Sequence, residues 1–297
     1  MLALASALSA SMAAAQAPSS PTDELMHFGF TARMFEGINL NDARAAMRVW
    51  TQEVAATRGL PVSPEIVSFD RVDDVVKALN ESRLEAITLT AGEYWELRDR
   101  VSVGPLLLSR TNGEAFDHYV LLVRKADQIS SLTQLRGKKL VMLLSARSCI
   151  MPEWLDLELY DADLPAPADH FGDVRQEAKL SRNVLNVFFG QSDACIVTRQ
   201  GFELMQELNP QVGKQLEVLL ESPPVVSSFF FFRGNFVSPS RQLIIDEFTS
   251  TNENPGKSQI LTLFQQEELF QGTPEDLAET LALLDRHAAI DRPRSTP

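Results

Sequence analysis

The stretch Leu135-Arg-Gly-Lys-Lys-Leu-Val141, taken with Val187-Phe-Phe-Gly-Gln-Ser-Asp-Ala-Cys-Ile-Val-Thr-Arg-Gln-Gly-Phe202, carries the main information about the fold. In each piece an apolar run of strand length passes through a polar turn into a helical pattern. Such a turn presents free backbone N–H groups and the positive end of the helix dipole. Two such turns, each with a hydroxyl and an arginine, predict a crevice for a small anion.

Strand and helix patterns alternate along the chain from residue 27. Three apolar runs of the first series predict strands: Phe28–Thr31, 66–69 and Ala86–Thr90. With the helical patterns between them, they indicate a βαβαβ unit with helices on the faces of a parallel sheet. A second series of the same form begins at Tyr119. After Ser222-Pro-Pro224 the chain returns, and four phenylalanines at 229–232 predict a strand buried on both faces.

The landmarks of the second series follow a recognisable order. An LRGKK motif precedes an apolar run and a helix, Gly190-Gln-Ser-Asp-Ala194 then leads into an apolar run ending in Thr198-Arg199, and Asn209-Pro210 follows the next helix. This order resembles the periplasmic phosphonate-binding components of ABC transporters, the phosphate/phosphite/phosphonate substrate-binding group. The resemblance extends from about His27 to about Leu269.

The resemblance, together with the return of the chain, implies a particular α/β fold. We expect the two-lobed fold of periplasmic substrate-binding proteins, in which each lobe is a mostly parallel sheet flanked by helices. Lobe I is expected to contain residues 27–113 and 226–287, and lobe II residues 114–225. Two crossings, near 109–118 and 222–228, would form the hinge.

The two ends of the chain differ from the rest. Residues 1–17 are small, apolar and end in Ala-x-Ala, which is typical of a secretory signal peptide, although its charged start is missing. An Ala-rich disordered tail is the alternative. Residues 18–26 read as a linker and 288–297 as a disordered tail. No apolar run approaches the roughly 20 residues of a membrane span, and no cysteine stands where it could be lipidated. Together with the predicted signal peptide, this leads us to expect a soluble periplasmic protein.

Charge and residue composition limit the classes of molecule that the protein can be expected to bind. A net charge of −13 argues against nucleic acid, whereas a small anion remains possible because local dipoles and one or two arginines decide such a site. Cys149 and Cys195 could form a disulfide in an oxidising compartment, but their places at opposite ends of the predicted sheet favour two buried thiols. The four histidines are scattered without metal-ligand spacing, so we expect no metal. We also expect no cofactor, and a monomeric protein.

The motifs of enzymes are incomplete in this sequence. Thr251-Asn-Glu-Asn-Pro-Gly-Lys-Ser258 ends like a phosphate-binding P-loop, but threonine replaces the first glycine and a helix precedes it instead of a strand. Neither G-x-S-x-G nor G-x-G-x-x-G occurs. We therefore predict a binding protein and not an enzyme.

Ligand contacts are predicted at strand ends and helix starts, where open parallel sheets bind ligands. They are Thr31, Thr90, Tyr94, Ser145, Arg147, Ser148, Ser181, Thr198 and Arg199. In the resembling family, a tyrosine after a glutamate, here Tyr94, contacts the ligand; packing at the rim is the alternative. Where the family has a Ser-Thr-Ser run, this chain has a loop about two residues shorter that carries Ser145-Ala-Arg-Ser148. Ser181 is interpreted either as the N-cap of a helix or as a residue that places its hydroxyl in the cleft.

One further departure from the family concerns the ligand. Where aminophosphonate binders use an acidic residue to hold the substrate's amine, this chain has Arg199, which would repel an amine. An ion pair between Arg199 and a local carboxylate such as Asp193 is the alternative. The predicted function is non-enzymatic binding of a small oxyanion, phosphonate or phosphate-like, between the lobes for delivery to the permease of an ABC transporter. The alternative is a binding protein that signals to a membrane sensor kinase or cyclase.

Overall fold

The computed structural model describes residues 25–290 apart from positions 61, 64, 66, 251–254 and 265. The predicted signal peptide, residues 18–24 of the predicted linker and residues 291–297 of the predicted tail lie outside the described residues. No helix in the described part of the chain is long and apolar enough to cross a membrane.

The strands form two sheets. In chain order they are β1 (Phe28–Thr31), β2 (Val67–Phe69), β3 (Ala86–Thr90), β4 (Val103–Arg110), β5 (Tyr119–Arg124), β6 (Lys139–Leu143), β7 (Asp173–Glu177), β8 (Ala194–Thr198), β9 (Leu216–Glu221), β10 (Ser228–Arg233) and β11 (Glu268–Gly272). The first sheet has the order β11-β4-β10-β3-β1-β2, and the second has the order β7-β6-β8-β5-β9.

Helices flank both sheets, which confirms the predicted α/β class with two lobes. They are α1 (Leu40–Arg58), α2 (Val72–Asn80), α3 (Ala91–Leu97), α4 (Met151–Asp161), α5 (Pro167–His170), α6 (Leu180–Phe188), α7 (Arg199–Leu208), α8 (Pro210–Gln215), α9 (Pro239–Thr249), α10 (Pro255–Leu263) and α11 (Ala278–Ala288). Short 3₁₀ turns at Ala32–Phe35 and Ala146–Ser148 follow the ends of β1 and β6.

Strand direction reflects the path of the chain between the lobes. β1 pairs in parallel with β2 and β3, and β6 pairs in parallel with β7 and β8. By contrast, β10 lies antiparallel between β3 and β4, and β5 lies antiparallel between β8 and β9. β5 and β10 are the first strands after each crossing, so each enters its sheet from the edge where the parallel strands end. Both sheets, which were predicted to be mostly parallel, therefore contain antiparallel strands. β5 and β10 lie inside their sheets, and β11 lies at the edge of the first sheet.

The central strand β10 is buried on both faces, as its four phenylalanines predict. Phe230 packs edge-on against Phe28 with ring centroids 5.8 Å apart, in the core beneath α1 and α9. Phe231 points to the opposite face, where its ring centroid lies 5.9 Å from that of Tyr94. Alternate side chains of one strand thus fill two cores of the first lobe.

The two crossings pair with each other at the hinge. The backbone N–H of Asp117 donates to the carbonyl oxygen of Val225 at 2.8 Å, and the N–H of Val225 donates back at 2.9 Å. Next to this bridge, the N–H of Tyr119 donates to Ser222 Oγ at 2.8 Å. The predicted two-crossing hinge is confirmed, and its crossings are held together by backbone hydrogen bonds.

The last helix, α11, touches both lobes. Leu284 is buried in the core of the second lobe with Trp154. On the side of the first lobe, Asp285 Oδ1 accepts from Trp95 Nε1 at 2.8 Å and from Arg98 at 2.6 Å. Because α11 bridges the lobes, the assignment of its residues to lobe I stays a prediction.

Candidate ligand-binding site

The parallel strands of both sheets end at the interlobe cleft, and a polar cavity of about 300 Å³ lies there. The first lobe contributes Arg33 and Glu36, from the 3₁₀ turn and the residue that follows it. The second lobe contributes the end of β6, the turn after it, the start of α4 and the strand β7; its polar lining residues are Ser145, Ser148, Cys149, Glu153 and Gln176. We call this space the first cavity.

One cation and two carboxyl groups dominate the charge of the first cavity. The Arg33 side chain is exposed and, within the described part of the chain, has no hydrogen-bond or ion-pair partner. Burial raises the pKa of the Glu36 carboxyl, with the nearby Arg33 acting in the opposite direction. Burial also raises the pKa of Glu153, whose Oε2 is shielded from solvent and lacks a hydrogen-bond partner among the described residues.

A second cavity of about 650 Å³ adjoins the first on the side of α7. Thr111 and Asn112 line it from the first crossing, and Arg147, Thr198 and the polar face of α7 line it from the second lobe. Ser145 lines both cavities. The turn that carries Ser145 therefore lies between the two cavities and can present groups to either.

The hydroxyls at the strand ends of the first lobe are committed to Glu93. Thr31 Oγ1 donates to Glu93 Oε2 at 2.6 Å, and the N–H and hydroxyl of Thr90 donate to the same oxygen at 3.0 and 2.8 Å. All three residues are buried, and Thr90 with Glu93 forms a capping box at the start of α3. These hydroxyls fix the start of α3 and have no donor left for a ligand.

Tyr94 follows the capping box and packs into the first lobe. Its ring lies edge-on to Phe229, with the two centroids 4.9 Å apart, in one of the two cores of the first lobe. Burial raises the pKa of its phenol. Tyr94 lines neither cavity.

The turn after β6 is held by its own serines. Ser148 Oγ accepts from the N–H of Ser145 at 2.8 Å and lies 2.7 Å from the carbonyl oxygen of Leu143. The two hydroxyls lie 3.2 Å apart. Ser148 is buried, whereas Ser145 is partly exposed to both cavities. The shorter turn therefore keeps a hydroxyl at the cleft while using Ser148 to fix its shape.

Arg147 connects this turn to the hinge. Its guanidinium pairs with Asp117, with Nε 3.0 Å from Oδ1, and Nη2 donates to Gln200 Oε1 at 2.6 Å. Gln200 in turn donates to the carbonyl oxygen of Thr111 at 3.0 Å. The carbonyl oxygen of Arg147 lies 2.7 Å from Ser227 Oγ in the second crossing. Although Arg147 lines the second cavity, its charge is compensated by Asp117.

The remaining predicted residues lie on the second lobe. Thr198 is the N-cap of α7 and accepts from the N–H of Gly201 at 3.1 Å. Arg199 forms a two-pronged ion pair with Glu221, which raises the pKa of its guanidinium, so its carboxylate partner is Glu221 and not Asp193. Ser181 lies exposed in the first turn of α6. The N-cap position belongs to Lys179, so the interpretation of Ser181 as the cap is wrong.

Three residues of the site were missed by the sequence analysis. Arg33 comes two residues after the end of β1. An arginine placed just after a predicted strand is the sequence pattern that could have indicated it. Glu153 lies in the first turn of α4, where an acidic residue is ordinarily explained by the helix dipole. Asp117 lies in a crossing without any local motif, so only the tertiary structure reveals its pairing with Arg147.

Other candidate chemistry has structural explanations. Cys149 and Cys195 are free thiols whose pKa values are raised by burial, and Cys149 Sγ donates to the carbonyl oxygen of Ser227 at 3.0 Å. Lys257 of the P-loop-like sequence is buried and lies 3.4 Å from the carbonyl oxygen of Glu247, near the end of α9. Within the described residues, no cluster of three potential metal ligands occurs.

Comparison with known families decides the classification. The family model for the periplasmic substrate-binding protein of phosphonate ABC transporters matches residues 42–277. The chain belongs to this family. Membership confirms the resemblance carried by the LRGKK and Thr198-Arg199 landmarks, and it implies a small ligand and a membrane permease as partners. No curated protein sequence matches the chain.

Several solved structures share the fold. A binding-protein component of a phosphonate ABC transporter from Pseudomonas aeruginosa is 15% identical, covers 89% of this chain and 86% of its own, and has a TM-score of 0.59. The phosphonate-binding protein PhnD1 from Prochlorococcus marinus, in complex with methylphosphonate, is 14% identical, with coverage of 90% and 100% and a TM-score of 0.61. A Xanthomonas citri protein bound to ATP is 18% identical, with coverage of 89% and 98% and a TM-score of 0.60. At these identities the likeness supports the two-lobed fold alone.

Proposed function

We propose that this protein binds a small oxyanion of phosphonate or phosphate type in the first cavity and delivers it to the permease of an ABC transporter. The observation that carries the proposal is Arg33, whose guanidinium makes no hydrogen bond or ion pair within the described part of the chain and lines the same cavity as the serine turn. A guanidinium can donate two parallel hydrogen bonds to an oxyanion, and such charge-assisted bonds are roughly twice as strong as neutral ones.

The predicted residues take different roles in this proposal. Ser145 contacts the anion together with Arg33, and Ser148 holds the turn in shape. Arg147 and Thr198 form the wall of the second cavity, which receives the substituent of a larger ligand. The others act at a distance: Thr31 and Thr90 by fixing Glu93, Tyr94 by packing, Arg199 by its ion pair, and Ser181 as a surface residue.

Binding without turnover is also part of the proposal. A hydrolase would need a nucleophile activated by a neighbouring base. The Ser148 hydroxyl is occupied by backbone carbonyl groups, burial raises the pKa of the Cys149 thiol, and neither described cavity has a histidine in its lining. Family membership favours delivery to a transporter over signalling to a sensor kinase or cyclase.

The direct test is a thermal-shift and calorimetric screen of the mature protein with methylphosphonate, phosphate, phosphite, methanesulfonate and acetate. A specific ligand at about 100 times its dissociation constant adds roughly 2.7 kcal/mol to stability, which raises the melting temperature measurably. We expect methylphosphonate or phosphate to bind with a Kd of about 1 μM or lower and to be recovered unchanged by phosphorus NMR. Absence of stabilisation by every oxyanion, or turnover of one, would contradict the proposal.

A further inference from the structure

We infer that α11 is a strap between the lobes, which stabilises the conformation in which both lobes line the first cavity and thereby sets ligand affinity from outside the site. The conformational claim goes beyond the proposed function, and only its affinity readout rests on that function. No residue of α11 lines either of the two cavities.

One set of contacts holds α11 to the first lobe. Leu277, just before the helix, is buried in a core of that lobe, and Leu281 packs against the same core. In the last turn, Asp285 Oδ1 accepts hydrogen bonds from two side chains of α3, Trp95 Nε1 at 2.8 Å and Arg98 at 2.6 Å. The first lobe therefore holds α11 from its beginning to its last turn.

A second set of contacts holds the same helix to the second lobe. Leu284 is buried in the core of that lobe. At the surface, Arg286 forms an ion pair with Asp161 at 2.9 Å, and His287 Nε2 lies 3.2 Å from a carboxylate oxygen of Asp156. Both aspartates belong to α4. Thus α11 connects α3 of one lobe with α4 of the other.

The helix is also attached to the hinge itself. The hydroxyl oxygen of Thr280, a buried residue, accepts from the backbone N–H of Val226 in the second crossing at 2.8 Å. Beside the helix, Trp95 of the first lobe packs against the core of the second lobe. The strap therefore lies against the segments about which the lobes turn in a fold of this type.

The contacts of α11 with both lobes constrain the conformation of the protein. A rotation about the hinge moves α3 relative to α4, and a single helix of 11 residues cannot follow both. A rotated conformation therefore loses part of one set of contacts. The conformation that keeps both sets is the one in which Arg33 and Ser145 line the same cavity.

This constraint has a consequence for ligand affinity. Contacts that exist in only one of two conformations shift the equilibrium toward that conformation. The apparent Kd equals the intrinsic Kd divided by the fraction of protein in the competent conformation. A weaker strap lowers that fraction, so affinity for every oxyanion should fall by the same factor.

The test breaks and then restores one link of the strap, the pair of Asp285 with Arg98. Affinities for methylphosphonate and phosphate are measured by calorimetry on the wild-type protein, Asp285→Lys, Arg98→Glu and the double variant. Small-angle X-ray scattering of each free protein gives its radius of gyration. Arg100→Ala is the matched control, because Arg100 pairs with Asp73 at 2.8 Å within the first lobe.

Each single variant places like charges between α11 and α3. Each should therefore weaken both ligands about two- to tenfold, with an unchanged ratio between the ligands. The double variant restores opposite charges and should return to within about twofold of the wild-type affinity. The free single variants should have a larger radius of gyration than the wild-type protein, and Arg100→Ala should match the wild type in both measurements.

Other outcomes decide against the inference. Wild-type affinity in both single variants, or a gain of affinity, would overturn it and leave the proposed function intact. Weaker binding that the double variant does not restore would also overturn it, because each residue would then act on its own. Melting curves verify folding, and Asp285→Asn, which removes only the charge, replaces Asp285→Lys if the latter does not fold.

The scattering measurement keeps the two proposals separate. If the wild-type protein binds no oxyanion, the proposed function falls and the strap is decided by scattering alone. Equal radii of gyration in the wild-type protein and the single variants would then overturn the strap.

Discussion

Arg147 and Asp117 form an ion pair, with Nε and Oδ1 3.0 Å apart, that ties the turn after β6 to the first crossing of the hinge. The second carboxylate oxygen of Asp117 accepts from Ser227 Oγ at 2.7 Å, and Ser227 belongs to the second crossing. A single carboxylate therefore links both crossings to the turn that lines the candidate site. Asp117 is therefore a point of contact between the turn after β6 and both crossings of the hinge.

Removing the Asp117 carboxylate should destabilise the ligand-free protein. Asp117→Ala leaves the guanidinium of Arg147 without its charged partner in a part-buried place, which costs about 1–3 kcal/mol. Chemical unfolding of the free protein measures the change. Arg71→Ala is the control, because Arg71 pairs with Asp73 on the surface and such pairs contribute about 0–1 kcal/mol. Equal effects of the two substitutions would contradict a structural role for Asp117.

A substitution of Arg199 shows whether this residue forms a structural ion pair or contacts the ligand. We expect Arg199→Met to lower the stability of the free protein by about 0.5–1 kcal/mol, since Arg199 and Glu221 are both part-exposed. Affinity for the oxyanion should change less than about threefold, which is under 1 kcal/mol. Calorimetry and melting of the same samples give both numbers. A tenfold loss of affinity without loss of stability would instead establish Arg199 as a ligand residue.

Glu153 should make the stability of the free protein depend on pH. Burial raises its pKa above the value of the unfolded chain, so the native state binds this proton more tightly than the unfolded chain does. Its contribution to stability is then complete below the ordinary glutamate pKa of 4.5 and is lost as pH rises through the raised value. Glu153→Gln should therefore raise the melting temperature at pH 7, and this gain should vanish toward pH 4.5. A constant difference across the range would refute this explanation.

Two substitutions of Tyr94 show whether its hydroxyl or its ring is required for stability and for oxyanion binding. In Tyr94→Phe the contact with Phe229 persists, so we expect the stability and the oxyanion affinity to stay near those of the wild type. Tyr94→Ala removes the ring and should destabilise the protein by about 1–3 kcal/mol, below the full cost of a buried aromatic because Tyr94 is part-exposed. Loss of affinity in Tyr94→Phe alone would show that the hydroxyl reaches the ligand.

The fold was predictable where the sequence is strongly patterned. The phenylalanines at 229–232 predict a central strand, and apolar runs predict β3, β5, β6 and β8. By contrast, β7 at Asp173–Glu177 was missed because it is a polar, largely exposed edge strand. The antiparallel direction of β5 and β10 was also not predicted, since it depends on where each crossing enters its sheet and not on any local pattern.

The candidate site was predictable only as a location. Strand ends and helix starts directed attention to Ser145 and Thr198, and both residues line the cavities. Which arginine is free could not be predicted, because it depends on partners distant in sequence: Asp117 lies 30 residues from Arg147, and Glu221 lies 22 residues from Arg199. Long-range pairing, and not residue type, decides which cation remains for a ligand.

The central claim is that Arg33 is the cation that binds the oxyanion, and one titration tests it most directly. Methylphosphonate is titrated into the wild-type protein, Arg33→Met and the matched variant Arg199→Met, with melting of each free protein as the control. The account predicts that Arg33→Met weakens binding about ten- to a hundredfold, or about 1.5–3 kcal/mol, with unchanged stability of the free protein. Wild-type affinity in Arg33→Met would contradict it.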